Sequence, residues 1–173
     1  MRIPRWLAAF LMLMAPAAAH ADDHRADISG AFSYAKGSKL LGMHQAFAHT
    51  LPDREQWSVV GDFAVYFGSD EGRQITRATY MVGPRLTLST QSPHHKVLPY
   101  ALFGGIYNND DLGGTTDGAI AFGAGWEYIQ KPAVQGASSH GLGFRAQADY
   151  VINLGDRDSF PRLSAGLVYR FRK

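Results

Sequence analysis

The 173-residue chain has no cysteine, so no disulfide framework holds it together. Beyond the first twenty or so positions it also has no apolar run near the ~20 residues that a spanning helix needs. A helical membrane protein is therefore excluded. One built from strands is not, because a transmembrane strand needs only ~9–11 residues. Nor is there a strong excess of one charge. Seventeen basic and fifteen acidic residues leave a formal net charge of +2, and Arg2 and Arg5 near the start account for it. Without those two the chain is formally neutral, with no basic excess to hold nucleic acid.

What is present begins with a leader. Arg2 and Arg5 form a short basic start, Trp6 to Met14 is apolar, and Ala19-His20-Ala21 closes a small-residue stretch with an A-x-A pattern. This is the plan of a cleaved secretory signal peptide. The expected division is a signal peptide over 1–21 and one domain over 22–173. Exported chains of this size can use disulfides, but a closed barrel has every strand hydrogen-bonded on both edges and does not need them.

The rest reads as eight two-faced strands. Side chains alternate sides along a strand, so period two separates the faces. At the C-terminus Leu163, Ala165, Leu167, Tyr169 and Phe171 share one side, and Arg162, Ser164, Gly166, Val168 and Arg170 share the other. Trp57 to Phe67, Gly118 to Gln130 and Gly141 to Asn153 alternate as clearly. Asp27 to Lys36, Thr76 to Ser89 and Val97 to Tyr107 also read as strands, and the alternation is poor from Gly42 to Thr50. Between them lie Gly, Pro, Asn, Asp and Ser clusters, including Asn108 to Gly118 and Lys131 to His140. Pro84 cannot donate to a ladder, so a bulge or a split strand is expected there. An even number of strands in one small domain points to an eight-stranded antiparallel up-and-down transmembrane β-barrel. With the first strand starting in the periplasm, Trp57, Tyr100, Trp126, Tyr128, Tyr169 and Phe171 fall at the periplasmic rim. Tyr34, Phe67, Tyr80 and Tyr150 fall at the outer rim.

Several stretches resemble the small bacterial outer-membrane β-barrel superfamily that includes the OmpA transmembrane domain and OmpX. They are Leu98-Pro99-Tyr100 leading into Gly104-Gly105-Ile106-Tyr107, then Phe122 to Tyr128, Phe144 to Tyr150, and the C-terminal strand. The resemblance implies outer-membrane location, contact with outer-membrane lipid and lipopolysaccharide, and assembly machinery that reads the aromatic-terminated last strand. Arg172 and Lys173 follow that aromatic, where the superfamily usually stops at Phe. The superfamily's cell-wall role, carried by a separate domain, is not implied. No nucleic-acid partner and no cofactor are expected, and a monomer is.

An eight-stranded barrel is just wide enough for its own side chains to fill. The inward set is expected to include Asp62, Glu127 and Asp149 with Arg77, Arg85, Arg145 and Arg170, paired because an unpaired buried charge costs several kcal/mol, roughly. Catalytic and metal readings are weaker. Ser138-Ser139-His140 places a nucleophile type beside a base type, but in a turn, and adjacent residues of an extended chain point apart. His44 and His49 have no clear partner set. His94-His95 is a short pair in a polar turn. Asp110, Asp111 and Asp117 are hard oxygen ligands without calcium-loop spacing. Lys36, Lys39 and Arg73 are loop charges suited to lipopolysaccharide phosphates. The expected role is therefore non-catalytic, either structural or in surface interaction. The alternatives are a lipid-A-modifying acyl hydrolase or acyltransferase, and a soluble lipocalin-like binder of apolar ligands.

Overall fold

The computed structural model describes residues 26–35, 40–70, 73–92, 94–110, 113–130, 141–155 and 159–171. The leader and Ser138, Ser139 and His140 lie outside the described residues. So do Lys36, Lys39 and Asp111.

The described chain is built from strands alone: β1 (Ala26–Ala35), β2 (Leu40–Leu51), β3 (Arg54–Asp70), β4 (Arg73–Leu86), β5 (Leu88–Ser89), β6 (His95–Asp110), β7 (Gly113–Ile129), β8 (Gly141–Asn153) and β9 (Phe160–Phe171). Neighbours pair antiparallel in the order β4-β3-β2-β1-β9-β8-β7-β6-β5, and β4 also pairs with β6. That last ladder closes the sheet. The two residues of β5 continue the line of β4 past Thr87, since Leu88 pairs with Val97 in the register that pairs Arg85 with Tyr100. The barrel thus has eight walls.

Closure requires tilted strands and a stagger. Ladder partners followed from Trp126 run through Ala146, Ala165, Phe32, Met43, Val65, Ala78 and Tyr107, and return to β7 at Thr116. This path lies wholly on the outer face. The inner face carries the complementary set, which is why Asp62, Ala64 and Tyr66 are buried while Trp57, Val59 and Phe67 are exposed.

Two expectations about the strands change. Pro84 produces no bulge; the strand is instead in two pieces, β4 and β5, divided at Thr87 rather than at Pro84 itself. The β3–β4 register is constant from Trp57↔Leu86 to Asp70↔Arg73, with Pro84 opposite Val59. On the β6 side the ladder is interrupted at Gly83 and Pro84, holds at Arg85↔Tyr100, and is interrupted again at Leu86 and Thr87 before Leu88↔Val97, all in one register. A missing donor costs a bond locally, and the pairs on either side fix the register. The segment Asn108 to Gly118 is also not a long loop. β6 and β7 pair continuously out to Asp110↔Gly113, and Gly113 has φ +137°, a left-handed backbone that suits glycine at the tip.

Candidate functional site

The inner wall concentrates the polar chemistry in two clusters. The lower one lies toward the end where β1 begins and β9 finishes. Asp27 on β1 accepts from Arg85 Nη1 at 3.2 Å and from Arg145 Nη2 at 2.7 Å. Arg145, on β8, also donates through Nε and Nη2 to Glu127 Oε2 at 3.0 and 2.6 Å, and through Nη1 to Ser29 Oγ at 3.2 Å. Arg170 Nη2 sits 2.6 Å from the other oxygen of Glu127. Beside Arg145 the wall carries Gly166 and then Ala31, both small. The guanidinium therefore has room to reach β1.

The second cluster lies deeper. Arg162 on β9 donates to both oxygens of Asp149, with Nη2–Oδ2 at 2.7 Å, and to both oxygens of Asp62, with Nη1–Oδ1 at 2.8 Å. Forked guanidinium-to-carboxylate bonding of this kind is the strong form of ion pair. His44 Nε2 donates to Asp62 Oδ2 at 2.6 Å, and the Tyr100 hydroxyl donates to Asp149 Oδ2 at 2.7 Å. Tyr100 reaches Asp149 across Gly123, where an added Cβ would lie 2.3 Å from the Cβ of Asp149.

Most of both clusters is buried, and Arg170 is the partly exposed member. Arg162 and Glu127 are 0% exposed and His44 is 1% exposed. Above the second cluster Leu40, Leu102, Ile106, Val151 and Phe160 are buried in one apolar cluster. Arg77 lies at this level, bonding Asn108 Oδ1 at 2.6 Å with its Cζ 4.6 Å from the Phe160 ring centroid.

Four carboxylates thus meet four guanidiniums, with every acid held by at least two donors. Such an arrangement fixes the lumen side chains and lets the strands bury charge without leaving it unpaired. Among the described hydrogen bonds, His44 contacts Asp62 and no hydroxyl. His44 and Asp62 are a base and a carboxylate in contact, but the wall neighbours of His44 are Ala31 and Ala64. Among the described residues no group of three or more His, Cys, Asp or Glu could hold a metal ion.

Of the residues expected to face inward, Asp62, Arg77, Arg85, Glu127, Arg145 and Asp149 are buried, and Arg170 is partly buried beside Glu127. Arg77 stands apart from the two clusters in the bonds described for it. Three members were missed. Arg162 lies on the polar side of β9, by the same alternation that marked Arg170. Asp27 alternates with the outward Ile28. His44 is hidden by β2, whose outer face also carries polar residues.

Tyr100 is the correction among the aromatics. It is 8% exposed and points into the lumen, not to a rim. Both faces of β6 are apolar around it (Leu98 and Leu102 inward, Val97 and Phe103 outward), so no polar residue set the phase. Trp57, Trp126, Tyr128, Tyr150 and Tyr169 are exposed on the outer face, and Phe171 packs edge-on against Tyr169 at 4.8 Å. His95 stacks at 5.4 Å on Trp126, and His94 at 5.9 Å on Tyr128.

The fold is that of the small outer-membrane β-barrels. Neisserial surface protein A superposes with a TM-score of 0.60 at 14% identity, over 89% of this chain and 99% of that one. The N-terminal β-barrel domain of Pseudomonas aeruginosa OprF gives 0.55 at 13% identity, over 88% and 100%. Ail, the attachment invasion locus protein of Yersinia pestis, gives 0.53 at 16% identity, over 87% and 100%. No family model matches the sequence, and no curated protein does.

Proposed function

We propose that this protein is a non-catalytic β-barrel of a Gram-negative outer membrane, exported by a cleaved signal peptide, with a structural or surface-interaction role. One observation carries the reading: the outer face is an apolar belt with exposed aromatics toward its edges, while the charges of the two inner clusters are ion-paired. Exposed Phe32, Phe103, Phe122, Leu163 and Leu167 on a soluble barrel would form a large contiguous apolar surface. In a bilayer the same residues face acyl chains. Lipocalin-like binding is disfavoured because ion-paired charges and buried apolar side chains occupy the inner face.

The structural neighbours support the reading. One is by name a surface protein and another an attachment and invasion protein, which favours surface interaction as the more specific role. Outer-membrane lipid and lipopolysaccharide would be the surrounding partners, and the assembly machinery would read β9. Lipid A from deletion and overexpression strains tests the main rival by mass spectrometry. Unchanged acylation in both is expected, and an acyl chain gained or lost would establish an enzyme instead. Heat-modifiable gel mobility is expected in detergent extracts, and clean recovery in the periplasmic fraction would contradict membrane residence.

A further inference from the structure

β2 breaks the rule that the rest of the belt obeys. Its outward series is Leu41, Met43, Gln45, Phe47 and His49, and Gln45 is exposed in the middle. Among the described outward positions between the aromatic rims, every other side chain is apolar or aromatic except His49 at the lower edge. The Gln45 carboxamide has no hydrogen-bond partner among the described residues. Leu41 and His49 each lie four residues away, about 13 Å of strand. That is too far for a glutamine to reach headgroups by snorkelling.

The surroundings are shaped for a close approach. Gln45 pairs with Gly30 on β1 and with Phe63 on β3, and Phe47 pairs with Gly61. A Cβ added at Gly30 would meet nothing within 4 Å. An amide left unpaired in hydrocarbon is unfavourable, and polar groups beside small residues are a recurring way for transmembrane helices to associate, a physics that a lipid-facing strand shares. A carboxamide also complements itself. Across a two-fold axis, the N–H of each copy donates to the C=O of the other.

We propose that the β1–β2–β3 face is a self-association surface, on which two copies meet in the bilayer through paired Gln45 amides, with the notch at Gly30 admitting the partner's belt. This rests on the membrane reading above and departs from the monomer that the sequence suggests. The occupant is a second copy because one amide supplies both the donor and the acceptor that the other lacks.

The absence of cysteine allows single-cysteine variants in a clean background. In phospholipid vesicles, Met43→Cys, adjacent on the same face, is expected to form disulfide-linked dimers on oxidation. Phe122→Cys, on β7, is not. Adding Gln45→Leu to Met43→Cys should suppress the cross-link. Gln45→Leu alone should weaken association about tenfold in energy-transfer dilution series, with Gln45→Asn retaining part of the affinity. Heat-modifiable mobility verifies that each variant is folded. Folded, inserted protein that stays monomeric at every protein-to-lipid ratio overturns this inference and leaves the membrane reading intact. Equal cross-linking at Met43→Cys and Phe122→Cys, or no effect of Gln45→Leu, overturns it too. Wild-type protein that fails to insert removes the membrane reading, and this inference with it.

Discussion

Arg162 and Asp62 stand 100 residues apart in sequence, on β9 and β3, and meet in the lumen with Nη1 2.8 Å from Oδ1. The same guanidinium holds Asp149 on β8. One side chain thereby ties together three walls of the barrel.

Removing it leaves two carboxylates short of their main partner. Arg162→Met is expected to destabilise the barrel by about 3–5 kcal/mol, the usual cost of breaking a buried pair from one side. Urea titration of the refolded protein in detergent micelles measures this. Gln74→Ala, at an exposed position, is the control and should shift stability by less than about 0.5 kcal/mol. Equal midpoints for the two variants would remove the lumen cluster from the account.

The lower cluster should show coupling. Glu127→Gln and Arg145→Met each break the same contact, so the double variant should cost less than the sum of the singles. An interaction energy of about 0.5–3 kcal/mol is expected for residues in one network. Strict additivity would mean that the two side chains act independently despite the 2.6 Å contact between them.

Glycines offer a test of the walls themselves. Gly123→Ala places a Cβ 2.3 Å from that of Asp149 and 2.6 Å from the Ala148 carbonyl oxygen, where backbone must move. Overpacking of this kind costs about 1–3 kcal/mol. Gly30→Ala points into open space and should leave folding stability within about 0.5 kcal/mol. Unfolding midpoints that rank the two in the opposite order would contradict the inward and outward assignment.

Tyr100→Phe isolates one hydroxyl. Asp149 keeps its bonds from Arg162, so the loss should be near the ~1.5–3 kcal/mol of a hydrogen bond to a charged group. A loss near zero in urea titration would place Tyr100 outside the network.

The clearest parts of the fold in the sequence were those where one strand face is polar. Asp62 opposite Val59 and Phe63 fixed the phase of β3, and Arg145 and Asp149 fixed that of β8. Where both faces are apolar the phase was undetermined, and Tyr100 was assigned to the wrong side of β6. Where polar residues lie on both faces the inner one was lost, which is why His44 on β2 went unpaired. Pro84 shows a further limit: the ladder to β6 is interrupted there, as the missing donor requires, yet the register held by β3 runs through it without a bulge. The identity of ion-pair partners is a property of barrel closure, since Asp27, Arg85 and Arg145 come together only when β4 meets β6. Alternation finds the inward charges and says little about which of them touch.

The most direct test uses spin labels at three single cysteines in phospholipid vesicles: Phe122→Cys and Leu167→Cys on the outer face, and Gln147→Cys on the inner one. The first two should collide freely with oxygen and hardly with a water-soluble nickel chelate, as hydrocarbon-exposed sites do. The third should lack that hydrocarbon signature. Three labels with the same accessibility profile, whether all wet or all shielded, would contradict a lipid-facing belt around a charge-paired inner face.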